Sequence, residues 1–439
     1  MFDSLGLLIV TYYWPPSSGP GVQRWLKFAK YFSALGVKVH VLTVMDGTYP
    51  SLDKSLLDEV PDLLRVSKTK TFEVYKVFNR LKGKKDNSVD VGLGDLTQNS
   101  GFLNKVANFT RSNIFIPDGR VAWKYFAIPK AIQLIKKNEL NFVITTGPPQ
   151  STHLIGLALK KKYKNELKWI IDFRDPWVNI YYNKHLKRLP FAQRMDQRFE
   201  SQSVQNADQV VVVNNGLKEE FEDRAKRIKV ITNGWDNEDF PEQIYSKKES
   251  SFVISFTGNM GNSYDNDSIW KAISKFTKSI PSANIKLRIT GHLGNKVRLM
   301  IENEGLLKNL EESGFVSHKE AIRRMIHSDL LLLPIPPSNN SDRIVPGKIF
   351  EYLASGTAIL GLGPPEGAAS KILIDCHRQP MVGFTDIQSI FNRLQYEYER
   401  WSNALKSRVK YDGKEHYKYS RKHLAIEYLK TLTELKEKR

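Results

Sequence analysis

Apolar and polar positions along the chain follow two periods in turn. Leu5 to Thr11, Val37 to Val44, Phe142 to Thr146, Lys168 to Phe173, Gln209 to Val213 and Ile228 to Thr232 are short apolar runs, the pattern of buried strands. Helical spacing separates them. Val22, Trp25, Leu26, Ala29, Phe32 and Leu35 form one stripe, and Trp123 to Asn138 and Thr152 to Lys162 repeat the pattern. A strand, a Gly-containing loop, a helix and a strand open the chain, which predicts a doubly wound parallel sheet. The rhythm restarts with strands at Phe252 to Thr257, Ile285 to Thr290 and Leu330 to Leu333 and a helix over Ile269 to Lys278. A further helix opens at Ser317, with Glu320 three residues on as a capping box. Gln388 to Val409 and Lys418 to Lys438 read as long amphipathic helices.

The second half is organised around Val345 to Leu362, VPGKIFEYLASGTAILGL. Pro346 and Gly347 end a loop, and Lys348 to Ala354 has helical spacing with Ile349, Tyr352 and Leu353 inward. Lys348 and Glu351 then neighbour each other on another face. Gly356 stops the helix before the buried-strand run Ala358 to Leu362. One cation, one carboxylate and free backbone N–H groups emerge at the mouth of a parallel sheet. Amides and ammonium suit phosphate, and a carboxylate suits ribose hydroxyls. The plain alternative for Lys348 and Glu351 is a solvated helix-face pair.

At 439 residues the chain predicts two domains. These are read as 1–233, with a polar excursion at 79–113, a linker at 234–251 after the Asn-Gly turn, 252–410, and a final helical segment at 411–439. Hydrophobic and charged fractions of 41% and 26% are those of a globular protein rather than a disordered or fibrous one. A net charge of +19 favours anionic partners. The single Cys376 excludes an internal disulfide. With no run of apolar residues long enough to span a bilayer and no signal-peptide pattern, the expectation is a cytoplasmic protein that also meets a membrane. No nucleic-acid module is recognised, so nucleic acid is not an expected partner.

The organising stretch resembles the donor-binding segment of GT-B fold glycosyltransferases, in particular glycosyltransferase family 4. The Gly19 and Gly21 loop, the Asn233-Gly234 turn with Asp236, and an EYLASG helix carry the likeness. The resemblance implies two Rossmann-like domains facing across a cleft, the final helix returning to the first, and the chain of a metal-independent retaining transferase. Its substrates would be a nucleotide-diphosphate sugar and a hydroxyl of a glycan or lipid-linked acceptor of a bacterial envelope, with no further cofactor. Glu351 would hold the ribose, with Lys348, Arg343, Gly347, Gly258 and Asn259 about the diphosphate. Gly19, Gly21 and Arg174 would line the cleft.

The pattern also departs from the family. Arg343 stands where the family commonly has a first Glu, with Asp342 one place off. Gly258 to Gly261 carries neither Arg nor Lys. Arg174-Asp175 replaces His-Asp, so Asp175 or Asp172 becomes the candidate to orient the acceptor hydroxyl or accept its proton. These departures keep open a second reading, a non-catalytic nucleotide- or polyanion-binding protein on the same scaffold. Asp265-Asn-Asp267 has the form of a DxD metal motif, but it precedes a helix, where Asp serves as a cap. His153, His292 and His318 lack metal-site spacing and read as structural. The basic segments 160–164 and 184–194 face either anionic lipid or plain solvent.

Overall fold

A computed structural model describes the chain except residues 1, 3, 50, 73–108, 110–111, 181–182, 184–187, 241–249, 405–409, 412, 438 and 439. Most of the polar excursion at 79–113 therefore lies outside the described residues. The chain divides into two compact units, Met1–Thr232 with Leu424–Arg439, and Asn233–His423.

The first unit is a seven-stranded parallel sheet in the order β3-β2-β1-β4-β5-β6-β7. Its strands are β1 (Gly6–Val10), β2 (Lys38–Val44), β3 (Arg65–Thr69), β4 (Phe142–Gly147), β5 (Lys168–Phe173), β6 (Gln209–Val212) and β7 (Ile228–Val230). The central strands are apolar on both faces because helices cover both. Leu7 and Ile9 enter one core, with Trp25, Phe28 and Phe32, while Leu8 and Val10 enter the other. The final helix, Arg421–Glu437, supplies Leu424, Tyr428 and Leu432 to the first of these cores. Tyr428 sets its ring edge-on to Trp25 and Phe28.

The second unit is a five-stranded parallel sheet in the order β10-β9-β8-β11-β12. Here β8 is Phe252–Met260, β9 Ile285–Leu293, β10 Leu310–Glu312, β11 Leu330–Pro334 and β12 Ala358–Leu362. Both sheets thus share one winding, outward from the first strand and then back past it. Of the segment read as a linker, Trp235, Asp236 and Phe240 are buried in this unit. The Trp235 indole donates to His416 O at 3.0 Å.

Two expectations need correction. β8 continues through Gly258 and Asn259 to Met260, beyond the expected strand end at Thr257. Gly258 pairs with Gly291 of β9, and its φ of 123° is open to glycine at little cost. A Cβ on Gly291 would stand 2.2 Å from Gly258 O, so the two strand ends approach too closely for a side chain there. Secondly, Asp267 occupies the N-cap of helix Ser268–Ser279 without a side-chain cap bond; it pairs with Lys271 at 2.6 Å instead. Asn266 Oδ1 accepts from Ser268 N at 3.0 Å.

Candidate functional site

In the second unit, helix Lys348–Ala354 begins and ends where its spacing predicts. Ile349, Phe350, Tyr352 and Leu353 are buried. Tyr352 Oη also accepts from Thr257 N at 3.0 Å, which ties the helix to the C-terminal end of β8. That anchorage sets Lys348 beside Gly258, where Nζ lies 3.0 Å from the position a Cβ would take. The ammonium sits 3.7 Å above the centroid of the Phe256 ring. Burial lowers its pKa to about 7, against the opposing pull of Glu351. Among the described residues Lys348 has no hydrogen-bonded counter-ion. A cation held in this way is stabilised by a ligand that brings negative charge.

Glu351, one turn on, has a partner that sequence reasoning set aside. His318 Nε2 donates to Glu351 Oε1 at 2.9 Å. Ser317 Oγ caps helix His318–Ile326 through Glu320 N and so places His318 on the first turn. On its other side, His318 Nδ1 is 3.8 Å from Asp239 Oδ2. Asp239 is held by the turn Asn237–Asp239, capped in turn by the buried Asp236. The Asn-Gly-Trp-Asp landmark thus delivers a carboxylate to the back of His318. Burial opposes charge on His318, but the hydrogen bond and charge of Glu351, with Asp239, raise its pKa to about 9. Burial would raise the Glu351 carboxyl, yet His318, Arg421 and Lys348 together bring it below its ordinary value. Glu351 is therefore an anion with Oε1 engaged and Oε2 without a hydrogen bond among the described residues. The early sequence signal for His318 was its place directly after the capping Ser317.

The remaining donor-side candidates are less engaged. Gly347 precedes the helix with open space where a Cβ would stand. Asn259 is exposed. Arg343 is exposed on the turn Ser341–Arg343, with Asp342 at 3.9 Å. The DxD carboxylates are each paired with a lysine, Asp265 with Lys296 and Asp267 with Lys271.

In the first unit, the end of β5 separates three residues that are close in sequence. Asp172 is a correction: as an acid–base candidate it is unavailable. It is fully buried, accepts from Arg24 Nη2 at 2.7 Å, from the Trp25 indole at 3.0 Å and from Thr146 Oγ1 at 3.0 Å. Arg24 also donates to Ile231 O and Thr232 O, so the pair clamps helix Pro20–Ala34 to β5 and to the chain beyond β7. Arg174 turns toward the glycine loop, donating to Gly147 O at 3.0 Å and Pro148 O at 2.7 Å. A Cβ on Gly21 would fall 1.5 Å from Arg174 Nη1, so a side chain there would displace the guanidinium, while Gly19 has a φ of 117°. Asp175 is half-buried, and burial raises its pKa against the pull of Arg174. A raised carboxyl next to a guanidinium suits a proton acceptor.

His153 lies close by, fully buried, its Nδ1 2.9 Å from Thr145 Oγ1. Burial, helped by Arg174, lowers its pKa to about 3, so it is neutral.

Glycosyltransferase Family 4 is the family whose model matches, over residues 21–239. A comparison with curated protein sequences finds no match. Among solved structures, a glycosyltransferase from Rickettsia africae ESF-5 aligns over 100% of both chains at 16% identity with a TM-score of 0.59. WaaG, a glycosyltransferase involved in lipopolysaccharide biosynthesis, aligns over 97% of this chain and 99% of its own, at 12% identity and a TM-score of 0.55. S. aureus TarM, solved as a point mutant in complex with fondaparinux, alpha-GlcNAc-glycerol and UDP, aligns over 97% of this chain and 99% of its own, at 10% identity and a TM-score of 0.60. The two parallel sheets with their flanking helices are the GT-B arrangement of these neighbours. The chain thus has the GT-B fold, and its residues 21–239 match Glycosyltransferase Family 4.

Proposed function

We propose that the protein transfers a sugar from a nucleoside-diphosphate donor to a hydroxyl of a glycan or lipid-linked acceptor, with retention and without a divalent metal. The observation that carries the reading is Lys348, an ammonium held over Phe256 with no hydrogen-bonded counter-ion among the described residues. Glu351 stands one helical turn away, anionic and with one oxygen open. Diphosphate and ribose carry complementary chemistry at that separation. Asp175 is the remaining acid–base candidate of the first unit. Metal independence is supported by the lysines paired with Asp265 and Asp267, the only DxD carboxylates. A role in bacterial envelope polysaccharide synthesis rests on the likeness to WaaG, a glycosyltransferase involved in lipopolysaccharide biosynthesis.

The test is titration of the purified protein with UDP and GDP and their nucleosides, together with hydrolysis of UDP- and GDP-sugars. Glu351→Ala removes a charge-assisted hydrogen bond of about 1.5–3 kcal/mol, which corresponds to a loss of roughly tenfold to 150-fold in nucleotide affinity. Unchanged affinity in the folded variant refutes the ribose role. Tight nucleotide binding with no turnover of any sugar nucleotide selects the non-catalytic reading, for which the locked Asp172 is the supporting observation.

A further inference from the structure

Helix Thr152–Tyr163 follows β4 in the first unit, and the turn between them gathers polar side chains with atoms left unpaired. Thr145 fixes the protonation of one of them. Its buried hydroxyl accepts from the Trp169 indole at 3.0 Å and meets His153 Nδ1 at 2.9 Å. That hydroxyl makes no other hydrogen bond among the described residues, so its own proton is donated to His153 Nδ1. The imidazole of this neutral histidine therefore carries its proton on Nε2.

Gln150 is fixed in the same way. Pro176 O can only accept, so the amide Nε2 that lies 3.1 Å from it is the donor and Oε1 faces elsewhere. It faces Gly147: a Cβ there would stand 2.2 Å from Gln150 Oε1 and 2.6 Å from His153 Nε2. His153 and Gln150 are 0 and 7% exposed, and neither of these two atoms has a hydrogen-bond partner. One buried donor and one buried acceptor thus converge over a residue without a side chain, at the C-terminal end of β4. Ligands of open α/β sheets bind at such ends, and Gly147 O itself accepts from Arg174 Nε.

We propose that His153 and Gln150 receive one hydroxyl group over Gly147, Nε2 donating to its oxygen and Oε1 accepting its hydrogen. The pairing selects the chemistry. A carbonyl or carboxylate answers only the imidazole and an ammonium only the amide oxygen, whereas water and an alcohol answer both. Leaving either buried atom unpaired is costly, which favours an occupant of this type. Two sources share that chemistry, a buried water and a hydroxyl of the acceptor. An acceptor hydroxyl makes the same two bonds as the water it displaces. The hydroxyl site stands independently of the sugar-transfer reading; only its assignment to the acceptor rests on that reading.

NMR of the full chain carrying isotope-labelled histidine tests it. One imidazole is expected to hold its proton on Nε2 and to stay neutral until the pH approaches about 3. That proton should receive magnetisation from a long-lived water. Gly147→Ala should abolish the transfer by filling the point where the two atoms converge. Gln150→Leu, which leaves Gly147 intact, should abolish it too while the proton stays on Nε2. Saturating methyl glycopyranosides, added with UDP, separate the sources. Transfer from a saccharide hydroxyl in place of water assigns the site to the acceptor, and unchanged water transfer assigns it to a resident water. An imidazole proton on Nδ1, or an Nε2 proton in the wild type with neither transfer, overturns the proposal. So does undiminished transfer in both variants. A chain that turns over no sugar nucleotide but shows the water contact loses the acceptor assignment alone, and one that transfers sugar without the contact loses the hydroxyl site alone.

Discussion

His318→Gln is the most informative perturbation, because it keeps a hydrogen-bond donor near Glu351 and removes only the charge. A rise in the imidazole pKa from 6.5 to about 9 corresponds to roughly 3 kcal/mol of preference for the charged form. The side chains are 24% and 20% exposed, so water screens part of this, and about 2 kcal/mol is the expected loss at pH 7. The His318 contribution is complete below 6.5 and disappears as pH rises through about 9. That of Glu351, whose pKa is lowered, is present above its ordinary value and disappears as pH falls through the folded one. Urea unfolding of wild type and His318→Gln at pH 7 and at about pH 10 should therefore show a gap that largely closes at the higher pH. Histidine-labelled protein offers a local check, since one imidazole resonance lost in the variant should titrate near 9 in the wild type. A gap that persists undiminished at high pH, or an imidazole titrating near its ordinary value, refutes the ion-pair account.

Three further outcomes follow. Lys348→Met should abolish the preference for nucleoside diphosphate over nucleoside while leaving the thermal midpoint equal or higher, because a buried ammonium costs the fold; in the wild type, diphosphate affinity should fall as pH rises above about 7, and calorimetry that shows neither effect refutes the phosphate role. Asp172→Asn breaks a buried ion pair and should cost about 3–5 kcal/mol in urea unfolding, whereas a stable variant lacking only turnover would restore Asp172 to the chemistry. Turnover should persist in excess EDTA and Asp265→Asn should change stability by about 1 kcal/mol or less, so abolition by EDTA with rescue by manganese would establish the DxD site.

What the sequence determined by itself is what local periodicity and turn chemistry encode. Both α/β rhythms, the helix Lys348–Ala354 and the strand Ala358–Leu362 were legible, because buried parallel strands read as unbroken apolar runs and glycine stops a helix. So was the neighbourhood of Lys348 and Glu351, which helical geometry dictates. Less regular pieces escaped: β3 is half-exposed with Lys and Ser among its five residues, and helix Pro190–Asn206 hides its acids rather than an apolar stripe. The tertiary structure alone decided which charged groups meet. Nothing in the spacing of Asp239, His318 and Glu351 reveals that a capped helix and a buried turn bring them together. Likewise Asp172 and Asp175 are three residues apart, yet one lies beneath Arg24 in the core and the other lies partly open past the end of β5. A carboxylate's role follows from its partners and its access to water, and the hydrogen-bonding partners of Asp172 and Glu351 come from 26 to 148 residues away.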